Sequence, residues 1–300
     1  MADLDEPPSF SDEIRSQLVT IEVSEEKQQF SVHHDLLTAS SKFFKAAFEG
    51  EFREATIKTI PLVDTAPQQV QDFLDWLYFR RLPAETERDE QMKCRFCGSD
   101  CPTRSQSSNQ GKDDDLLQAY PQFLSLSADQ EEALDKLFQR EPLPLLYVFA
   151  DRYDIPALRR KIVDKLWYCF EESNTLPSFL SIAGVGSLLP TTSPLLRLWI
   201  DLYIDGYCME DDASRTCSLE LAARQKLPFE FIYAVMVGLS NQKFEEPRQG
   251  MKKLCAYHEH PQDETTITAC TDEITKRRKE TRDSLNREEI SERRIKVKLK

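Results

Sequence analysis

Glycine is scarce in this chain: 8 of 300 residues, well under the usual share of about 7%. Loops that cradle phosphate groups need glycine so that the backbone can come close. No G-x-G-x-x-G, Walker loop, G-x-S-x-G or H-E-x-x-H occurs, which argues against nucleotide enzymes, serine hydrolases of that type and zinc proteases. Positive charge is also short. Lys and Arg number 39 against 52 Asp and Glu, the formal charge is -13 and the pI is about 5.0. Phosphate contacts need clustered Lys and Arg, so a nucleic-acid partner for the body of the chain is disfavoured. Long apolar runs are missing too. The densest, Leu195 to Tyr207, is interrupted by Arg197, Asp201 and Asp205, and it reads as a buried helix rather than the roughly 20 apolar residues of a membrane span. The opening MADLDEPPSF is acidic and polar, unlike a secretory signal. Eight cysteines without such a signal imply a reduced, intracellular protein, cytoplasmic and/or nuclear. Cys169, Cys208 and Cys217 read as small buried hydrophobes.

What is present is patterned. Gln17 to Val23 reads QLVTIEV, with Val19, Ile21 and Val23 on one face, and the polar turn SEEKQQ leads to Phe30 and Val32. This predicts a hairpin. His33, His34 and Asp35 turn the chain, and Leu36 and Leu37 follow. Ser40 or Ser41 can cap a helix in which Phe43, Phe44, Ala47 and Phe48 form one apolar stripe. Ile60 and Leu62 alternate as a third strand would. Asp64 to Pro67 then start a helix with Val70, Phe73, Leu74 and Leu77 at core-facing spacing. The phrase WLYFRRLP, containing Trp76 and Tyr78, closes it. From about Ala84 to Leu134 the chain is polar and low in aliphatics, so most of it reads as a disordered insertion. The pattern resumes with LPLLYVFADRYDIPALRRKIVDKLWYCF. Leu145, Leu146, Phe149 and Tyr153 face inward from a first helix. Asp154 can cap a second, in which Ile155, Leu158, Ile162 and Leu166 share a face.

This order of strand, His-His-Asp corner and Ser-capped Phe-Phe helix, with EF-x-EA, WLY-x-x-x-LP and LYVFADRYDIPAL following, resembles a BTB/POZ domain. Among known groups it is most similar to the single-BTB proteins of filamentous fungi. The resemblance covers residues 14–83 and 142–170. It implies an α+β fold, a small sheet surrounded by helices, followed here by a helical C-terminal region. His33, Asp35, Phe43, Phe44, Trp76 and Tyr78 are then structural residues of the family motif. His33 is expected to be hydrogen-bonded at a buried corner, with His34 solvent-exposed beside it. The resemblance also implies an interaction module rather than a catalyst. Its partners would be proteins: a second copy, as in a homodimer, or a cullin scaffold if the chain is an adaptor for a ubiquitin ligase. One position departs from the family pattern. Ser16-Gln17 stands where many members carry Ser-Asp, and that Asp joins a charged pocket in some dimeric members.

The rest of the chain divides by composition: a flexible N-terminus at 1–13, the BTB/POZ-like domain at 14–170 with its insertion, a helical region at 171–240 and a polar tail at 241–300. LPFEFIYAVMVGLS predicts one helix of that region, with Phe231, Val235 and Leu239 on one side and Ile232 and Met236 beside them. The tail holds Cys255, His258, His260 and Cys270, two thiolates and two imidazoles in C-x2-H-x-H-x9-C spacing. They match the ligand preference of zinc; the competing reading is a polar tail with incidental ligands. Cys94, Cys97 and Cys101 in the insertion form a three-ligand set, a weaker zinc candidate set against an unconstrained thiol cluster. Lys276 to Lys279 lie in a stretch, 274–300, with 11 Lys or Arg against 5 Asp or Glu. They read as a solvated helix face or as a nuclear import signal. The alternative to an interaction module is therefore a zinc-binding nuclear or chromatin-associated regulatory factor.

Overall fold

The computed structural model describes residues 16–24, 27–83, 142–173, 176–207, 223–242, 254–261 and 263–279. The expected flexible N-terminus, the insertion with Cys94, Cys97 and Cys101, and Cys208 and Cys217 lie outside them. The chain forms two compact units, Met1–Met251 and Lys252–Lys300.

The first unit begins with β1 (Leu18–Val23) paired antiparallel to β2 (Gln28–His33), with Val19 opposite Val32 and Ile21 opposite Phe30. β3 (Thr59–Leu62) runs parallel to β1 on its other side, so the order is β2-β1-β3. Alternation sets the faces. Val19, Ile21, Val23, Val32, Ile60 and Leu62 are buried, and Phe30 is half-buried. A parallel pair needs a crossover, and α1 (His34–Ser40), α2 (Lys42–Glu49) and α3 (Arg53–Ile57) supply it. Lys58, left-handed at φ 52, ends α3.

Ser41, not Ser40, caps α2. Its hydroxyl accepts the Phe44 N–H at 3.1 Å and donates to the Tyr153 carbonyl. With the start fixed there, Phe44, Ala47 and Phe48 point inward and Phe43 is turned about 100° away. Phe43 is 39% exposed, so the expected four-residue stripe loses one member. Its ring still closes the rim, 5.3 Å from Phe44 and 5.1 Å from Tyr153.

Helix α4 (Pro67–Phe79) has Pro67 in its first turn, and the Gln69 side chain accepts the Ala66 N–H at 3.1 Å. It buries Val70, Phe73, Trp76 and Leu77, with Leu74 only half-buried. Trp76 takes the second inward position because it lies three residues after Phe73. On this face sits α5 (Pro142–Arg152), against which α6 (Pro156–Ser173) packs in turn. Phe73 is 5.2 Å from Phe149, ring to ring, and Gln69 Nε2 donates to the Leu145 carbonyl at 3.4 Å. Leu146, Phe149, Tyr153, Ile155, Leu158 and Ile162 are buried; Leu145 and Leu166 are half-buried, and so is Cys169.

Asp154 does not cap α6. It is left-handed at φ 46, with its N–H on the Asp151 carbonyl and the Ile155 N–H on the Ala150 carbonyl at 2.8 Å. That is a Schellman ending of α5 with Asp154 in the place glycine usually takes. The near-buried Arg159 lies 3.6 Å from the Asp154 carboxylate.

Next in the chain, α7 (Phe179–Gly186) is capped by Ser178, whose hydroxyl accepts the Ser181 N–H at 2.9 Å. α8 (Pro194–Gly206) buries Leu195, Leu196, Leu198, Trp199, Leu202 and Tyr203. α9 (Phe229–Gln242) lies on α8 through Phe231, whose ring is 5.6 Å from Tyr203, and through Gly238. A Cβ on Gly238 would sit 2.2 Å from Ile204 Cδ1, so glycine is what lets the helices touch. Ile232 and Met236, expected beside the packed side, are 45% and 57% exposed. Each follows a packed position by one residue, which swings it out.

The second unit has a 3₁₀ turn at Leu254–Tyr257 and α10 at 264–279.

Phe44→Ala should cost about 3–5 kcal/mol, because a fully enclosed ring leaves a cavity. Phe43→Ala should cost well under half of that in the same urea titration. Equal costs would mean that the helix face is misassigned. Since Gln69 and Phe73 meet Leu145 and Phe149 directly, replacing residues 88–128 by a short Gly/Ser linker should leave cooperative melting intact. A non-cooperative melt would show that the two stretches need the intervening chain.

Candidate functional site

The His-His-Asp corner is built by β2 ending where α1 begins. Tyr78, near the end of α4, reaches this corner. Its hydroxyl oxygen takes the His33 backbone N–H at 3.0 Å and lies 2.8 Å from His33 Nδ1. One hydroxyl can thus accept from the backbone and donate to the ring, which gives His33 a structural partner. His34 is not solvent-exposed as expected: its side chain is 19% exposed, its Nδ1 lies 2.7 Å from Asp35 Oδ1, and its ring packs edge-on against Phe48. The Ser16 hydroxyl accepts the Asp35 N–H at 3.2 Å, and the Gln17 carbonyl accepts the His34 N–H at 2.8 Å. At the departing position it is therefore the backbone of Gln17 that ties the hairpin to the corner. Trp76 is buried, with the Arg80 guanidinium 4.8 Å above its ring. The corner offers contacts and packing.

The second unit gathers donors of a different kind. The 3₁₀ turn buries Leu254, Cys255 and Tyr257, and His258 behind it is also buried. Asp263 starts α10 by accepting the Thr266 N–H at 2.9 Å and the Thr266 hydroxyl at 2.7 Å. These two bonds hold the Asp263 carboxyl below the usual carboxylate range. Cys270 then falls on the half-buried stripe of α10, with Ile267, Thr271 and Ile274.

Cys255 Sγ lies 3.2 Å from His260 Nε2, and Cys270 Sγ lies 3.0 Å from His258 Nδ1. The donor atoms of Cys255, His260 and Cys270 are all within 4.8 Å of one another. His260 Nδ1 is 2.9 Å from the Pro261 carbonyl. A proton on Nδ1 satisfies that carbonyl and leaves the Nε2 lone pair facing Cys255. Spacing alone suggested the four residues; their division into a Cys255–His260 pair and a His258–Cys270 pair could not be read from it.

Residues 12–94 match the model of the BTB/POZ domain family. The chain carries a BTB/POZ domain, and such domains are protein–protein interaction modules. No curated protein matches the chain. The match spans the sheet, the corner and α4; α5 and α6 lie beyond it in sequence, and α5 packs onto α4. Among the described residues, no helix is long and apolar enough to cross a membrane.

Tyr78→Phe removes the acceptor of the half-buried His33 N–H. It should destabilise the first unit by about 1–2 kcal/mol, read as a lower urea midpoint at unchanged m. An unchanged midpoint would show that the hydroxyl is dispensable to the corner.

Proposed function

We propose that the chain works by BTB/POZ-mediated self-association, or by recruiting a protein partner through the same domain as an adaptor for a cullin-type ubiquitin ligase. The observation that carries this reading is the family match over residues 12–94. Exposed apolar side chains support it. Leu18, Phe52, Val63 and Phe79 are each more than half exposed on that domain, and contact with another protein would take them out of water. A homodimer that relied on a charged pocket at position 17 does not suit Gln17. Apolar contacts are the more suitable basis.

Light scattering of the full chain at micromolar concentration should give about twice the 34.8 kDa chain mass. A monomer that co-purifies with a cullin N-terminal fragment would make the chain a monomeric adaptor. A monomer that binds no cullin would overturn the proposal and favour the nuclear or chromatin-associated alternative. In that alternative the exposed run Lys276 to Lys279 would act in nuclear import.

A further inference from the structure

We propose that Cys255, His258, His260 and Cys270 bind one structural zinc ion, with His258 coordinating through Nδ1 and His260 through Nε2. The argument starts from convergence. Two separate thiol–imidazole hydrogen bonds would hold each Cys–His pair but would not draw the pairs together. Here the donors of Cys255, His260 and Cys270 crowd within 4.8 Å, and His258 Nδ1 adjoins the Cys270 sulfur at 3.0 Å. In tetrahedral zinc, with bonds of about 2.3 Å to sulfur and about 2.0 Å to nitrogen, neighbouring S and N donors are about 3.5 Å apart. To admit the ion, the two close pairs at 3.0 and 3.2 Å open by a few tenths of an ångström, the wider separations among Cys255, His260 and Cys270, up to 4.8 Å, draw in, and His258 joins through its contact with Cys270.

The protonation pattern also fits. Zinc needs an unprotonated ring nitrogen, and the Pro261 carbonyl beside His260 Nδ1 places the proton on the far side of the ring. This is the usual outer-shell support of a metal-bound histidine. Two thiolates cancel the charge of Zn²⁺, so a closed site is neutral. It can therefore sit where Cys255 is 5% and His258 is 6% exposed without a buried net charge.

The unit has need of such a clip. None of the side chains of 264–279 is fully buried; the half-buried stripe is the most α10 hides. Little apolar burial is available to fix α10 against the 3₁₀ turn. Metal binding supplies that energy, because ligands dispersed in the unfolded chain are gathered only on folding. Four protein donors leave no open coordination position, so the role is structural and not catalytic.

The test uses the full chain. Elemental analysis after dialysis against metal-free buffer should give one zinc per chain. Replacement by Co²⁺ should produce the visible absorption of tetrahedral cobalt with a thiolate charge-transfer band. X-ray absorption should show two sulfur and two nitrogen neighbours. Cys255→Ser and Cys270→Ser should each abolish the cobalt band and speed proteolysis within 254–279, as a chelator should for the parent. A variant with Cys94, Cys97 and Cys101 all changed to Ser should keep the metal. Parent protein with no zinc and no cobalt spectrum would overturn the proposal. So would a Cys255→Ser variant that retains zinc while Cys97→Ser loses it, or a shell of four sulfurs.

Discussion

Four aromatic rings from three separate stretches of chain meet around Phe73, and the first unit depends on that meeting. Phe44 comes from α2, Phe73 from α4, Phe149 from α5 and Tyr153 from the turn that follows it. Phe44 stacks on Phe73 at 6.2 Å and on Tyr153 at 5.6 Å, while Phe73 and Phe149 lie 5.2 Å apart. Each such ring hides about 150–250 Å², so the cluster outweighs any single polar contact nearby. The polar contacts set its register. The Tyr153 carbonyl takes the Ser41 hydroxyl that also caps α2, and the Tyr153 hydroxyl lies 2.8 Å from Thr65 Oγ1 just before α4. One residue thereby fixes the entry of two helices.

That arrangement explains how α4 and α5 meet across a long interruption in sequence. Residues 80–141 separate α4 from α5, yet α4 and α5 touch through Phe73 and Phe149 and through Gln69 and Leu145. Loop closure costs grow only slowly with loop length, whereas the ring contacts do not depend on length at all. The apolar side chains left on the surface, Leu18, Phe52, Val63 and Phe79, are held by elements anchored to this core. Side chains ordered in advance lose less entropy on contact, so this rigidity favours the self-association proposed above.

The sheet and the helix pairs were legible in the sequence because their signals are periodic. Val19, Ile21 and Val23 alternate, and Phe73 and Leu77 recur at helical spacing. The misreadings fall where a phase had to be chosen. Taking Phe43 into the stripe amounted to starting α2 one residue too early, and only the Ser41 cap decides that phase. Including Leu74 and omitting Trp76 was the same error on α4, since the two differ by about 160° of rotation. Ile232 and Met236 look core-like by type, but the close approach of Gly238 to Ile204 dictates which side of α9 meets α8. Asp154 was read by residue type as an N-cap. Its actual role depends on the Ile155 N–H bonding back to Ala150, a constraint that comes from the preceding helix.

The donor cluster shows the opposite balance. Its residue types were plain in the sequence, but their arrangement was not, because C-x2-H-x-H-x9-C matches no fixed loop geometry. Two local devices bring these residues near one another. The 3₁₀ turn at Leu254–Tyr257 closes on itself through the His258 N–H and the Cys255 carbonyl at 3.2 Å, so Cys255, His258 and His260 stay close together. Asp263 then fixes where α10 begins, and the rise of 1.5 Å per residue carries Cys270 about 9 Å along the axis from residue 264. A start one residue later would rotate Cys270 by about 100°, away from His258. The Asp263–Thr266 bonds therefore act on the cluster from a distance: they set the phase of the helix that delivers its fourth donor.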